Sequence, residues 1–128
     1  MCGFSGFLGF SSLNEDHFIP ILKDMNYQLS HRGPDKEGFW YDSTRQIALG
    51  HRRLSIIDLS DAGNQPMTAQ SGNYIIAFNG EIYNHLKLRK LIELEKKEMS
   101  WIGYSDTETL LEAIEHWGLE AALKKTEG

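Results

Sequence analysis

Met1-Cys2-Gly3-Phe4-Ser5-Gly6-Phe7-Leu8-Gly9-Phe10 opens the chain, and it sets the terms for everything that follows. Residues 2–10 mix apolar side chains with four small ones, Gly3, Ser5, Gly6 and Gly9. That composition predicts a strand whose small residues let other backbone approach closely. Cys2 sits at its head. It is the only cysteine, so no internal disulfide can form, which suits a reducing compartment. A lone cysteine is most often an inert small hydrophobe. Its place beside Met1 gives a second reading. Methionine is commonly removed when the next residue is small, and Cys2 would then carry both a thiol and a free α-amine. An α-amine has an unperturbed pKa of about 7.7–8.0, so part of it is neutral near pH 7. It can take the proton of the adjacent thiol, and one residue then supplies both nucleophile and base.

Outward from this strand, Asp16 is expected to cap a helix reaching about Ser30, with Ile19, Leu22, Met25 and Leu29 on one face. Pro20 falls near its first turn, where a missing N–H costs least. His31-Arg32-Gly33-Pro34-Asp35 is a turn or loop. Three β-like runs follow at 38–41, 46–51 and 53–59, then a polar surface loop at 60–72. Residues 74–78 form an apolar strand ending at Asn79-Gly80. Asn84 is expected to cap a helix over 84–97. Ser105 and Glu108 make a capping box for a helix with Leu110, Leu111, Ile114 and Trp117 as its stripe and Gly118 as its stop. Residues 120–125 add a helical turn. Strand, helix, several strands, then helices indicates an α+β domain with layered sheets and helices rather than a regular βαβ series.

The chain has 128 residues, which fits one domain able to bury roughly two-thirds of its unfolded surface. The formal net charge of -5, with no basic cluster, argues against nucleic-acid or anionic-membrane binding. No apolar run approaches the ~20 residues of a membrane span. No basic segment precedes an apolar one at the N-terminus, so a signal peptide is not expected and a cytoplasmic location is. The five histidines lack zinc-like spacing, so no metal site is expected. A Walker-type glycine loop is absent from the sequence as well.

Three further places can carry chemistry, each with an ordinary alternative. Asn79-Gly80 is a strong hairpin signal. Its other reading is an oxyanion hole made of the Asn79 amide and the Gly80 backbone N–H. Arg53 is either a solvated strand arginine or a bidentate clamp on a substrate carboxylate. Arg52 and Arg53 point to opposite sheet faces, so one of them should serve. Asp106 either complements a helix dipole or pairs with a substrate ammonium. Arg53 and Asp106 together would recognise the two ends of an α-amino acid.

As an ordered set these segments resemble one family. Met1-Cys2-Gly3, His31-Arg32-Gly33-Pro34-Asp35, Arg53-Leu54-Ser55-Ile56, Gln65-Pro66, Asn79-Gly80-Glu81-Ile82-Tyr83-Asn84 and Ser105-Asp106-Thr107-Glu108 look like the class II glutamine amidotransferase domain of asparagine synthetases. The resemblance covers essentially the whole chain. It implies an N-terminal-nucleophile hydrolase fold, an αββα sandwich of two mainly antiparallel sheets between helical layers. It implies glutamine hydrolysis to glutamate and ammonia, with Cys2 as nucleophile and Asn79 and Gly80 as oxyanion hole. Arg53 matches the residue on the glutamine α-carboxylate, Ile57 supplies backbone contacts, and Glu81 and Asp106 match the groups on the α-amino end. Family domains run longer, so residues 1–128 are expected to be a C-terminally truncated part of that domain. The synthetase domain that uses ATP and magnesium is expected to be its partner in the full chain, passing ammonia to aspartate, and a homodimer fits the same picture. No cofactor is expected in this stretch. The run Trp101-Ile102-Gly103-Tyr104-Ser105-Asp106 also looks like synthetase-like proteins that amidate sugar acids for surface polysaccharides. A non-catalytic glutamine-binding module and another N-terminal-nucleophile amide or acyl-homoserine hydrolase complete the alternatives.

Overall fold

A computed structural model describes residues 2–9 and 14–128. Met1 and Phe10, on which the processing and the strand end were read, lie outside the described residues. The chain forms two units. The first comprises Met1–Ser55, Asn64–Pro66 and Ala77–Asn79, and the second Ile56–Gly63, Met67–Ile76 and Gly80–Gly128.

The first unit holds β1 (Gly3–Leu8), α1 (Glu15–Gln28), β2 (Lys36–Asp42) and β3 (Ile47–Arg53). They make an antiparallel sheet of order β1-β3-β2. Register determines which side chains share a face, because successive residues on a strand alternate sides. Phe7 pairs with Ala48, and Tyr41 pairs with Ala48 from the other side. These residues meet α1: Phe18, Leu22 and Ala48 form a buried cluster with Phe7 and Ile19 against it. Phe18 lies edge-on to Phe7 at 6.3 Å and to Tyr41 at 5.3 Å. The α1 stripe therefore runs through Phe18, Leu22 and Asn26, all buried, while Ile19, Met25 and Leu29 flank it. Asn26 takes a core position because its side-chain amide donates to the His51 carbonyl at 3.3 Å.

Asn14, not Asp16, caps α1, since its side chain accepts the His17 N–H at 3.2 Å. Starting the helix at Glu15 puts Pro20 in the second turn, where its ring removes a ladder hydrogen bond; the residue is exposed. The expected strand over 53–59 does not form. β3 ends at Arg53, and the chain beyond it turns irregular because the Ser55 N–H is taken by the Asp35 carboxylate at 2.8 Å.

The second unit contains β4 (Met67–Thr68) and β5 (Ile75–Ile76), a short antiparallel pair, then α2 (His85–Glu95), α3 (Asp106–Trp117) and α4 (Leu119–Lys125). β4 lies inside the stretch read as a loop, and a 3-10 turn occupies Asp61–Gly63. Met67, Ala69 and Leu111 cluster with Ile76 packed against them. α3 is buried from Asp106 through Ile114, polar residues included, rather than along a single stripe. Ser105 caps it as expected, accepting the Glu108 N–H at 3.1 Å. Glu108 does not return the bond to Ser105. Its carboxylate instead accepts from Ile102 N–H at 2.7 Å, from Gly103 N–H at 3.0 Å and from Arg89 at 3.0 Å. Asn84 begins α2 without a side-chain cap bond, because its side chain is engaged with the Lys125 carbonyl and the Glu127 N–H. Gly118 closes α3 with φ of 80°, a left-handed-side value that favours glycine.

Antiparallel sheets with helices in each unit make the chain α+β, as its sequence of elements indicates. No helix among the described residues is long and apolar enough to cross a membrane.

Candidate functional site

The sheet face opposite α1 carries the first set of candidate residues. Gly3 pairs with Arg52, so the residue before it arrives beside the end of β3. There the Cys2 sulfur accepts the Leu54 N–H at 3.3 Å and lies 3.6 Å from the Leu54 carbonyl. The thiol is half-buried and fixed to backbone by both contacts. His51 and Arg53 are two residues apart on β3 and share the same face.

Arg53 and Arg52 separate as the alternation requires. Arg52, on the other face, donates to the Gly33 carbonyl at 3.1 Å and to Glu37 at 2.8 Å. Arg53 is buried and donates to Asn64 Oδ1 at 2.8 Å. The solvated-arginine reading of Arg53 is thereby set aside: a buried guanidinium aimed at an amide oxygen keeps its planar fork in one orientation.

The His31–Asp35 segment, whose role the sequence left open, builds the end of β3. Gly33 lies against the backbone of Arg52 and Arg53, and an added Cβ would stand 2.6 Å from Arg53 N. Asp35 N–H donates to the Arg53 carbonyl at 3.1 Å, and its carboxylate holds Ser55 N–H. These bonds fix residues 52–55, and so the Leu54 backbone that touches the Cys2 sulfur.

Two crossing segments complete this face. Gly38, opposite His51 in the register, has no side chain to block the Gln65 carbonyl that lies over it. Gln65 Oε1 accepts the Phe78 N–H at 2.6 Å, and His51 Nε2 donates to the Phe78 carbonyl at 3.2 Å. Burial holds the His51 imidazole below its ordinary pKa, the Phe78 carbonyl opposes that shift, and the nearby Arg53 charge adds to it. Phe78 leads directly to Asn79, which is exposed. The hairpin reading of Asn79-Gly80 does not hold: β5 pairs backward with β4, and α2 is the next element.

Gly80, Glu81, Ile57 and Asp106 belong to the second unit. Gly80 and Glu81 are exposed, and Ile57 is 41% exposed. Asp58, next to Ile57, is buried and ties its loop down, accepting Ser60 N–H at 2.8 Å and Tyr104 N–H at 2.7 Å. Asp106 is buried at the start of α3. Its carboxylate accepts the Ile82 N–H at 2.8 Å and the Thr107 N–H at 2.9 Å. It therefore anchors the backbone just after Glu81 as well as complementing its own helix. Arg89 sets the entry to α3 by donating to the Gly103 and Ser105 carbonyls and to Glu108, beneath the Trp101 ring at 4.2 Å.

Sequence reading therefore named Cys2, Arg53, Asn79 and Asp106 as candidates, quoted Gln65 only within a family motif, and gave no role to the residues that support them. His51, Gln65, Asp58 and Arg89, all buried, and the partly buried Asn64 carry no local signature of these contacts. His51 was legible only as the strand neighbour two residues before Arg53.

A family model described as a glutamine amidotransferase domain matches residues 1–128. Asparagine synthetase [glutamine-hydrolyzing] 1 of Bacillus subtilis (strain 168) is 42% identical over 125 residues, covering 97% of this chain and 19% of that protein. Amidase chry2 of Gibberella zeae is 36% identical over 127 residues, covering 93% of this chain and 18% of its own. Asparagine synthetase [glutamine-hydrolyzing] 3 of Bacillus subtilis (strain 168) is 36% identical over 121 residues, covering 91% of this chain and 18% of that protein. The chain spans about a fifth of the length of these relatives. With its whole length matched by the family model, the chain belongs to the glutamine amidotransferase domain family.

Proposed function

We propose that this chain is the glutaminase part of an asparagine-synthetase-like amidotransferase, with the N-terminal-nucleophile αββα sandwich as its complete fold. The observation that carries the reading is the seat of Cys2: its sulfur rests on Leu54, the residue after the buried Arg53. In this reading Met1 is removed and the freed α-amine of Cys2 accepts the thiol proton. The sulfur attacks the glutamine carboxamide carbon, and the Asn79 amide and Gly80 N–H hold the oxyanion. Ammonia leaves with the proton from the α-amine, and water hydrolyses the Cys2 thioester to release glutamate. Arg53 takes the α-carboxylate and Ile57 gives backbone contacts. Glu81 and Asp106 take the α-amino end.

Ammonia passes to a synthetase domain that uses ATP and magnesium to amidate aspartate. The glutamine-hydrolysing names of relatives at 42% and 36% identity support glutamine as the substrate. Cytoplasmic residence and a homodimer belong to the same proposal.

The test uses the full-length protein that carries this chain. A glutamine-analogue electrophile should label Cys2, and Cys2→Ala should abolish both labelling and ammonia release. Labelling at another residue, or ammonia release that survives Cys2→Ala, overturns the reading. The intact mass of the native protein should lack Met1.

A further inference from the structure

We propose that His51 and Gln65 act as positioning residues for Asn79 by clamping both hydrogen-bonding groups of Phe78; the proposal rests on the glutaminase reading above. Phe78 is the residue immediately before the oxyanion-binding Asn79. Its N–H goes to Gln65 Oε1 at 2.6 Å and its carbonyl to His51 Nε2 at 3.2 Å. His51 is fully buried and Gln65 is buried.

The geometry explains why this grip reaches Asn79. The Phe78 carbonyl and the Asn79 N–H belong to one planar peptide. Fixing the direction of that carbonyl fixes the plane to which the Asn79 α-carbon is attached. Rotation of the plane would swing the Asn79 amide away from a developing oxyanion. Asn79 itself is exposed, so its aim depends on the backbone that precedes it.

The protonation pattern is also set. A carbonyl only accepts, so His51 Nε2 must carry the hydrogen. Nδ1 is then left as an acceptor, and it has no partner among the described residues. A buried imidazole with one unpaired nitrogen costs desolvation that an apolar residue would avoid. Packing alone therefore does not account for a histidine here, whereas a directed donor to Phe78 does. Gly38 makes the other half of the clamp feasible, because its bare α-carbon lets Gln65 lie across the sheet.

The full-length protein again serves for the test. His51→Leu should lower kcat for ammonia release about tenfold to a hundredfold, the scale of an ångström-sized misplacement. KM for glutamine should stay within about twofold, since the lost contact matters only when the oxyanion forms. Alkylation of Cys2 by iodoacetamide should keep its rate, because substitution at a saturated carbon builds no oxyanion. His51→Gln, which restores a donor, should recover most of kcat. Gln65→Met should reproduce the His51→Leu pattern, and it decides the matter should His51→Leu fail to fold by circular dichroism. Unchanged kcat in the folded variants overturns the clamp, as does an equal loss of kcat and alkylation. Wild-type protein that releases no ammonia, or Cys2→Ala protein that still does, overturns the glutaminase reading and the clamp with it, before any clamp variant is compared.

Discussion

Gly38 lies so close to Gln65 that a Cβ on its α-carbon would overlap the Gln65 carbonyl oxygen and sit 3.0 Å from the carbonyl carbon. Both partners are backbone, so neither can swing aside as a flexible side chain would. Gly38→Ala is therefore expected to push the 64–66 segment off the sheet. Overpacking of this kind costs about 1–3 kcal/mol. The same shift would disturb the Arg53 contact with Asn64 and the Gln65 contact with Phe78. A urea melt should show the lower stability, and the ammonia assay a larger proportional loss than the melt predicts.

Arg89 and Glu108 form a buried ion pair at 3.0 Å with side-chain exposures of 9% and 6%. Arg89→Met would leave the Glu108 carboxylate buried with two backbone donors but no counter-charge. Breaking one side of such a pair typically costs about 3–5 kcal/mol. Combining Arg89→Met with Glu108→Gln should recover part of that loss. Equal destabilisation of the single and double variants would show that the bonds from Arg89 to the Gly103 and Ser105 carbonyls, rather than the charge, set the cost.

Arg53→Lys keeps the positive charge but loses the planar fork. Its contact with Asn64 shows that orientation, not charge alone, is built into this position. KM for glutamine is expected to rise about tenfold to a hundredfold with a smaller change in kcat, the signature of lost uniform binding. A kcat that falls as far as kcat/KM would place Arg53 in the chemical step instead.

His51 makes stability depend on pH. Its folded pKa lies below the ordinary 6.5 because burial disfavours the cation. Between the folded and unfolded values the unfolded chain binds a proton that the folded chain does not. Stability from this group is thus fully present above about pH 6.5 and falls as pH drops toward the folded value. Urea midpoints at pH 7.5 and 5.5 should differ more for wild type than for His51→Gln, which removes the titrating group. Identical pH slopes would show that other groups dominate.

Along single elements the sequence was readily legible. Ser105 announced the start of α3 and Gly118 its end, because caps and chain stops act between residues a few positions apart. Cys2 was named as a nucleophile candidate from its place beside Met1 together with the ordered set of family segments. Local signals failed where a distant partner won the contest. The Asn84 side chain bonds Lys125 and Glu127 instead of capping α2, and the Glu108 carboxylate bonds Arg89 instead of closing the capping box with Ser105. The expected strand at 53–59 lost its ladder to Asp35, whose carboxylate reaches Ser55 from 20 positions earlier.

The sequence by itself thus determined the α+β order of elements, the family, and the identities of Cys2, Arg53, Asn79 and Asp106 as candidates. Residue type and short spacing carry that information. Only the tertiary structure decided that Cys2 rests on Leu54, that Arg53 is buried against Asn64, and that His51 and Gln65 grip Phe78. Those pairings join residues 11 to 52 positions apart. Their energy comes from satisfying buried polar groups once the strands are in register, and no local pattern in the chain encodes which distant group will arrive.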